Sequence, residues 1–416
     1  MMEKSLICTN EKVNIIYIPD DIVFSILSKL PLKSLKRFEC VQKSWSLLFQ
    51  NHNFINKFRI NLFSNTHCRC SYYDGASLLL MVSDYRQDKY DLYSLSGERF
   101  QNKVKLVCSN PFRNRFCTRS FGFGSINGIL CLYDDSYSGE TILWNPATQT
   151  IRLLPYSEVI ESIESDEELD NDFASLTAET HLHGFGYDDL TDDYKVIRYV
   201  TFEGEHAGYG DISIEELDYE ALYPFWEMYS LKSNSWKKLD NDMPPTSLYT
   251  EGTQVYMDGV CHWLSEEDCA AGPCLVSFYL SNEEFITTPI PGDEEDDDDF
   301  VFKASWINLA VVNGFIALIS YHEDMTFHIS IVGELGIEES WTKLLIVGPM
   351  PCVKYPIGAG TKGEIFFIRE DEELVWFDLR KTFPQMTVEL GYKGLGDTSQ
   401  IIVYKENILP LGGISN

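Results

Sequence analysis

The chain has 416 residues, of which 44% are hydrophobic and 13% aromatic, so it can fold around a large core. Its formal net charge is −31. Residues 1–60 carry nine Lys and Arg against five Asp and Glu, so the acidity belongs to the rest of the chain. A body this acidic repels nucleic acids and anionic membranes and attracts basic partners. Nucleic acid and membrane are therefore excluded as partners.

The eleven cysteines are scattered and include no C-x-x-C pair, which is typical of reduced thiols rather than of a disulfide framework. Residues 1–12 lack the apolar run of a signal peptide. The apolar stretch 307–320 is interrupted by Asn313-Gly314 and is too short to span a bilayer. We therefore expect a soluble protein of the cytoplasm, the nucleus or both.

Residues 18–58 have the apolar periodicity of helices. Spacings of three and four residues place one set of side chains on a single helix face: Ile22, Val23, Ile26, Leu27 and Leu30. Pro19 suits the first turn of this helix, and Pro31 interrupts it. A second short helix is predicted over residues 33–39 and a third around Trp45. Three such helices cannot bury all these groups among themselves, so some contact the rest of the chain or a partner.

This segment resembles an F-box over nearly its whole length. The resemblance is carried by Ile18-Pro19-Asp20-Asp21, Ile26-Leu27-Ser28-Lys29-Leu30-Pro31, Lys33-Ser34-Leu35, Arg37-Phe38, Cys40-Val41 and Lys43-Ser44-Trp45. Gln42 stands where the family usually has Ser. The resemblance implies that the helices bind the Skp-type adaptor of a cullin–RING ubiquitin ligase. The adaptor-binding residues it implies are Ile18, Pro19, Ile22, Ile26, Leu27, Leu30, Pro31, Leu35, Phe38, Val41 and Trp45.

From about Ser71 onward the apolar period changes from 3.6 to two, which indicates strands. Asn127-Gly128, Asp258-Gly259 and Asn313-Gly314 predict tight hairpins, and the sequence around Gly363 is a weaker copy. Each repeating unit ends with a second hairpin, and the tips of these hairpins lie near residues 96, 148, 233, 282, 336 and 380. Four short strands repeating at about 50 residues indicate a kelch-like β-propeller. We count six blades.

One interval between tips is longer than the others and marks the third blade. That blade is predicted to start at His183 and to carry an insertion between about Glu203 and Tyr223. The final strand, residues 401–404, is expected to pair near residues 77–82 and close the ring. Closure would remove exposed sheet edges.

The propeller region also resembles the plant F-box-associated interaction domain, whose members include S-locus F-box proteins of pollen and regulators of immune-receptor abundance. Its motifs occur in order over roughly residues 100–290. We expect an α+β multidomain protein, with a small all-α F-box before an all-β kelch-like propeller of about six blades. The expected parts are a flexible N-terminus 1–17, the F-box 18–60, a linker 61–75, the substrate-binding propeller 76–411 and a tail 412–416. The residues that carry this second resemblance are Asn127-Gly128-Ile129-Leu130-Cys131-Leu132, Leu143-Trp144-Asn145-Pro146-Ala147-Thr148, Leu153-Leu154-Pro155, Gly184-Phe185-Gly186-Tyr187-Asp188 and Asp193-Tyr194-Lys195-Val196.

Two acidic runs, Glu161–Asp172 and Asp293–Asp299, lie between strand patterns and are predicted to be loops with local disorder. They are either solvated loops or a docking surface for a basic target. Neither has the spacing of an EF-hand calcium loop.

Other candidate sites are weak, and no cofactor or metal is expected. His67-Cys68-Arg69-Cys70 lacks a second pair at a zinc spacing, and Cys261-His262 with Cys269 and Cys274 is no better. The glycines of residues 121–128 sit in a hairpin pattern, not in a phosphate loop. The tryptophans at strand positions are expected to lie in the blade cores: Trp144, Trp226, Trp236, Trp263, Trp341 and Trp376.

The two resemblances together imply the substrate-recognition subunit of a Skp–cullin–F-box ubiquitin ligase, with no catalytic residue of its own. The F-box would hold the adaptor, and through it cullin and the RING protein, while the propeller would hold the target. Two alternatives stay open. The propeller could be an enzyme or a sugar-binding scaffold, or the protein could be adaptor-bound with a regulatory role independent of degradation. The sequence does not identify the target.

Overall fold

The chain divides into two units, Met1–Leu62 and Phe63–Asn416. The computed structural model describes residues 18–28, 30, 38, 41, 43–48, 53–54, 77–84, 89–97, 99–106, 118–120, 124–134, 140–166, 169, 173–206, 219–240, 243–244, 254–265, 274–290, 304–312, 314–379, 388–393 and 399–406.

The first unit contains the helices α1 (Asp20–Leu27) and α2 (Lys43–Leu48). α1 begins after Pro19, whose carbonyl accepts hydrogen bonds from the backbone N–H groups of Ile22 and Val23. Two edge-to-face ring pairs lie among the described residues of this unit. They join Phe24 to Phe54 with 5.3 Å between ring centroids, and Phe38 to Trp45 with 5.6 Å. The helix predicted over residues 33–39 lies outside the described residues, apart from Phe38.

The second unit is a six-bladed β-propeller in which each blade is a four-stranded antiparallel sheet. The first strands of neighbouring blades contact one another around most of the ring, so they form its inner layer. From the inner strand outward, the blades are: blade 1, β24 (Ser399–Tyr404), β1 (Ser77–Asp84), β2 (Lys89–Ser96) and β3 (Asn102–Leu106); blade 2, β4 (Thr118–Ser120), β5 (Leu130–Asp134), β6 (Thr141–Asn145) and β7 (Thr150–Leu153); blade 3, β8 (Phe173–Asp188), β9 (Asp193–His206), β10 (Phe225–Ser230) and β11 (Ser235–Lys238); blade 4, β12 (Gln254–Met257), β13 (Val260–Ser265), β14 (Cys274–Tyr279) and β15 (Glu284–Pro289); blade 5, β16 (Ala304–Val312), β17 (Phe315–His322), β18 (Phe327–Val332) and β19 (Trp341–Val347); blade 6, β20 (Val353–Ala359), β21 (Glu364–Arg369), β22 (Glu373–Asp378) and β23 (Val388–Lys393).

The hairpins predicted from Asn-Gly and Asp-Gly pairs are confirmed at the two turns that are fully described. Asn127 and Gly128 have φ values of 49° and 77°, and Asp258 and Gly259 have 50° and 83°. Two successive residues with positive φ make a type I′ turn, whose twist matches that of the flanking strands. The count of six blades is confirmed. The Asn-Gly and Asp-Gly turns used to predict it are confirmed as well.

The closure of the ring is also confirmed. β24 pairs with β1 from Ser77↔Tyr404 to Val82↔Ser399. Beside it, the Ser125 backbone N–H donates to the carbonyl of Val403 at 2.8 Å, which ties blade 2 to the same strand. A Cβ on Gly124 would lie 2.2 Å from the Val403 carbonyl oxygen, so only glycine fits at this approach.

Two expectations for the third blade were wrong. Its first strand begins at Phe173 rather than at His183. The acidic run Glu161–Asp172 does not begin as a loop, because α3 (Glu158–Glu164) covers its first residues. Ser157 caps α3, and the apolar residues Val159, Ile160 and Ile163 pack into a shared cluster, so burial holds a helix where the charge pattern suggested disorder.

The connections between strands fall on two faces. Because the strands alternate in direction, turns from first to second and from third to fourth strand share one face, here the turn face. Connections from second to third strand and from blade to blade share the other, here the loop face. The longer connections, residues 154–172, 207–224, 239–253 and 290–303, all leave from the loop face. The chain between Ile290 and Ala304 includes the second acidic run, whose own placement is outside the described residues.

We predict that truncation after residue 398, which removes β24, abolishes the folded propeller. Ile401, Ile402, Val403 and Tyr404 are at most 5% exposed. Burying each contributes about 2 kcal/mol, and their sum is comparable to the total stability of a domain, about 5–15 kcal/mol. Thermal unfolding followed by circular dichroism should lose its cooperative transition. A control truncation after Glu406 should retain it, and an unchanged transition in the shorter chain would contradict the closure.

Candidate functional site

Two isoleucines on the helix α1 and one just before it are exposed to solvent. Ile18, Ile22 and Ile26 are 49%, 47% and 51% exposed. The spacing of four residues places Ile22 and Ile26 on one side of the helix. We call these two residues and Ile18 the apolar stripe. Val41, also predicted to bind the adaptor, is 63% exposed. Aliphatic side chains grouped in water in this way are typical of a surface that binds a partner.

The other predicted adaptor-binding residues are placed differently. Pro19 is exposed, whereas Leu27 is 3% exposed and so does not offer its side chain to a partner. Three more are half-buried, and two lie outside the described residues. The half-buried residues are Leu30, Phe38 and Trp45, and the undescribed ones are Pro31 and Leu35. Leu47, which sequence reasoning did not single out, is 62% exposed on α2.

On the propeller, the loop face of blade 3 carries a small additional structure, which we call the cap. It comprises α3, the ends of β8 and β9 (residues 173–180 and 201–206), and residues 219–225, which include a short 3-10 turn at Glu220–Leu222. The cap has its own hydrophobic cluster, separate from the blade cores. The buried members are Ile160, Leu169, Phe173, Val200, Phe202, Leu222 and Phe225.

A buried ion pair anchors the cap to blade 3. Arg198 on β9 donates from Nε to Glu227 Oε1 at 2.6 Å, and the hydroxyl of Ser157, the residue that caps α3, donates to Glu227 Oε2 at 2.7 Å. The Arg198 guanidinium stacks 3.7 Å from the ring centre of Trp236. The indole N–H of Trp236 donates to the carbonyl of Pro155 at 2.8 Å. Burial lowers the pKa of Arg198, and the charge of Glu227 opposes that shift.

The last residue of α3 also covers the edge of β8. Glu164 Oε1 accepts the backbone N–H of Ala178 at 3.0 Å, and Glu164 Oε2 accepts the hydroxyl of Tyr156 at 2.6 Å. Burial raises the pKa of Tyr156, and this hydrogen bond raises it further by a smaller amount. An inner strand that extends past its blade exposes backbone groups, and Glu164 satisfies one of them.

The F-box associated beta propeller domain family matches residues 123–407, which is more than half of the chain. The chain belongs to this family. F-box protein CPR1 from Arabidopsis thaliana is 25% identical over 87% of this chain and 82% of its own length. F-box protein At3g07870 from the same plant is 25% identical over 80% of this chain and 72% of its own. F-box/kelch-repeat protein At3g23880, also from Arabidopsis, is 24% identical over 79% of each chain.

The strand tryptophans of this F-box associated propeller lie mainly in its core. Five of the six are at most 7% exposed: Trp144, Trp226, Trp263, Trp341 and Trp376. Trp341, like Trp236, also joins neighbouring blades, since its indole N–H donates to the carbonyl of Pro289 at 3.0 Å. This repeated contact between a tryptophan and a proline at the end of the preceding blade was not foreseen from the sequence.

The weak metal and phosphate candidates remain without support. Among the residues that the structure describes, no three His, Cys, Asp or Glu side chains group as metal ligands, and no helix is long and apolar enough to cross a bilayer. Residues 67–70 and Cys269 lie outside the described residues. Cys274 is disulfide-bonded, which corrects the expectation of reduced thiols throughout. Its partner is not Cys131, Cys261 or Cys352, which are free.

His183 lies on β8, in the part of the strand that belongs to blade 3. It occupies a β-bulge between Leu182 and Gly184, and its ring centre is 5.1 Å from that of Trp226 and 5.9 Å from that of Trp263. Neither ring nitrogen has a hydrogen-bond partner among the described residues. Burial, with a smaller contribution from the charge of His181, lowers the pKa of His183 to about 3.

We predict that Glu227→Gln destabilises the propeller by about 3–5 kcal/mol, because it leaves the buried Arg198 guanidinium without its carboxylate. The matched control is Glu283→Gln, which removes the carboxylate that accepts a bond from the exposed Lys237 at 2.7 Å. A pair this exposed should contribute less than about 1 kcal/mol. Urea unfolding measures both, and equal losses in the two variants would contradict the anchoring role.

We predict that stability falls in acid partly through His183. The unfolded chain binds a proton near pH 6.5, whereas the folded chain binds it only near pH 3. Between these values the unfolded state holds more protons, so stability falls as the pH falls. From pH 7.5 to 5.0 this costs about 2 kcal/mol. In urea unfolding, His183→Leu should reduce the difference between the two pH values by that amount. An unchanged difference would show that His183 does not titrate as stated.

Proposed function

We propose that this chain is the substrate-recognition subunit of a Skp–cullin–F-box ubiquitin ligase. In this proposal the N-terminal helices form an F-box that binds a Skp-type adaptor, and the propeller binds the protein to be ubiquitinated. The observation that carries the proposal is the apolar stripe on α1, which lies in a segment that resembles an F-box. Membership of the F-box associated propeller family and the names of the relatives support the same assignment.

In this proposal the adaptor binds by covering exposed apolar side chains of the N-terminal helices. Ile22 and Ile26 are each about half exposed, and covering both would contribute about 2 kcal/mol to binding. Ile18 and Val41 would extend the same contact. Leu27 is buried and would support α1 from within instead of touching the adaptor. This division keeps the adaptor-binding residues separate from those that hold the helix.

In this proposal the propeller binds the target and holds it in a fixed position. A closed ring with buried blade cores presents its loop-face connections in a fixed arrangement. A target held there would have its lysines kept close to the ubiquitin-loaded partner of the ligase, which accelerates transfer by raising effective concentration. The chain would itself supply no catalytic residue. We further propose that it acts in the cytoplasm or the nucleus, where the ligase components would meet it.

The proposal predicts that Ile22→Ala combined with Ile26→Ala weakens binding of a plant Skp-type adaptor about thirty-fold, the equivalent of about 2 kcal/mol. The matched control is Val104→Ala combined with Ile346→Ala. These residues are 59% and 52% exposed, and both lie on outer strands of the propeller. Isothermal titration with the purified full chain measures both double variants, and thermal unfolding checks that each stays folded.

Equal weakening in both double variants, or no adaptor binding by the wild type, would contradict the proposal. A second readout addresses the alternative of a regulatory role without degradation. Cullin should be recovered with the wild-type chain, together with a bound protein that accumulates when the proteasome is inhibited. Cullin recovered without any such protein would favour the alternative.

A further inference from the structure

The outer strand of a propeller blade has one side that lacks a neighbouring strand. In blade 2 this strand is β7, and among the strands that the structure describes none pairs with its outer side. An edge of this kind exposes backbone N–H and C=O groups and can pair with a strand from another protein. The side chains on the edge strand decide whether such pairing is opposed or allowed.

The other outer strands carry residues that oppose pairing. Four of them contain lysine, whose charge disfavours a strand laid against the edge. The fifth, β15, ends in Pro289, whose nitrogen cannot donate a hydrogen bond. The lysines are Lys103 and Lys105 on β3, Lys237 and Lys238 on β11, Lys343 on β19, and Lys393 on β23. β7 contains neither lysine nor proline.

The register of β7 shows which of its backbone groups point outward. The backbone N–H of Leu154 donates to the carbonyl of Thr141 at 3.0 Å. In an antiparallel pair, residues that bond to the partner strand alternate with residues that do not. Counting back from Leu154, Arg152 bonds to β6, whereas the N–H and C=O groups of Ile151 and Leu153 point away from the blade. These two residues therefore offer two donors and two acceptors to a further strand.

The same two residues carry exposed apolar side chains. Ile151 is 43% exposed and Leu153 is 52% exposed. They share a face of the sheet with Trp144, which lies opposite Ile151 and belongs to the core between blades 1 and 2. Arg152 lies on the other face, where its guanidinium donates to Asn234 Oδ1 in blade 3 at 2.9 Å. The one charged side chain of β7 is thus held away from the apolar face.

Blade 1 adds a further exposed apolar side chain on the side that faces blade 2. Val104 on β3 is 59% exposed. It lies opposite Ser94, which shares a face with Leu92, a member of the core between blades 1 and 2. Val104 therefore lies on the side of blade 1 that faces blade 2. We call the outer side of β7, with Ile151 and Leu153, the blade-2 edge.

The backbone groups and the charge of the chain define what fits this edge. Outward groups two residues apart match those of an extended backbone, and an extended segment places alternate side chains on one face. Aliphatic side chains at those positions match Ile151 and Leu153. The net charge of −31 repels acidic segments and a second copy of the chain, and attracts basic ones. The matching occupant is an extended apolar segment flanked by basic residues.

We propose that the blade-2 edge docks an extended segment of the target protein as an antiparallel fifth strand of the blade. The inference rests on the proposed function, because it states where and by what chemistry the propeller holds its target. Aliphatic residues of the segment exchange backbone hydrogen bonds with Ile151 and Leu153 and pack beside their side chains. Because β7 ends where residues 154–172 leave the loop face, the docked segment leads to that face.

The test uses the full chain and a fluorescent peptide of alternating Val and Thr with Lys at both ends. In an antiparallel pair, residues that exchange hydrogen bonds place their side chains on the same face. The Val residues therefore bond to β7, and N-methylation of Val removes their donors. N-methylation of the Thr residues changes only the far edge of the peptide. Fluorescence anisotropy measures all three peptides.

Two variants test the same edge from the side of the protein. Ile151→Pro removes an outward N–H without removing a hydrogen bond to β6. Ile151→Ala combined with Leu153→Ala removes the exposed apolar groups. The matched control is Ile286→Ala combined with Ile346→Ala, at residues that are 37% and 52% exposed on the outer strands β15 and β19. Thermal unfolding checks that each variant stays folded.

We expect N-methylation of Val to weaken peptide binding more than about ten-fold, and N-methylation of Thr to change it less than about two-fold. Ile151→Pro and the double variant of the edge should each weaken binding about five-fold. The control double variant should change it less than about two-fold. Ile151→Pro tests the backbone and the double variant tests the side chains, so each part of the contact has its own readout.

Equal weakening by the two methylated peptides, or by the edge and control variants, would overturn the proposal. So would the absence of peptide binding to the wild type. A concentration-dependent dimer in sedimentation velocity that Ile151→Pro abolishes would also overturn it, because a second copy would then occupy the edge. Adaptor binding, measured on the same preparations, shows separately whether the proposed function stands.

Discussion

The pairing of β24 with β1 is the contact on which the rest of the propeller depends. A ring of radial sheets must join its two chain ends, or it leaves open edges and an incomplete blade. Here the C-terminal strand becomes the innermost strand of blade 1, with Tyr404 opposite Ser77. The same strand accepts a backbone hydrogen bond from Ser125 in blade 2. Blade 1 is thus complete only when the last residues of the domain are in place.

Once closed, this ring can carry irregular structure on one face. The turns that build the blades are tight and occupy the turn face, as at Asn127-Gly128 and Asp258-Gly259. The long connections leave from the loop face, where they do not disturb the strand ladders. The cap shows how such an extension is held, because the Arg198–Glu227 pair and the Trp236 contact fix it to blade 3. Rigidity in the blades and variation at the loop face suit a protein that holds a partner.

The blades could be predicted from the sequence because their signals are local. An Asn-Gly or Asp-Gly pair between alternating apolar residues specifies a type I′ turn without reference to the rest of the chain. The length of β8 and the presence of α3 could not, because both depend on packing between distant segments. Ile160 and Phe202 share a cluster although they are far apart in sequence. The carboxylates around Ile160 also made this segment resemble a solvated loop.

The candidate sites were predictable to different degrees for the same reason. The apolar stripe follows from helical spacing within one short segment, so Ile18, Ile22 and Ile26 could be named in advance. The burial of Leu27 on the same helix depends on tertiary packing, which helical spacing does not specify. On the propeller, Phe202 lies opposite Ala178 only through the register of β8 and β9. Register over so long a hairpin is set by the cap that covers one face.

We propose that this protein uses separate surfaces for adaptor and target. Hydrogen–deuterium exchange of the full chain, with and without a plant Skp-type adaptor, tests it most directly. We expect new protection in peptides covering α1 and α2, and unchanged exchange in the blades, including β8 and β9. Protection in the blades without protection in α1 would contradict it, as would the absence of any change.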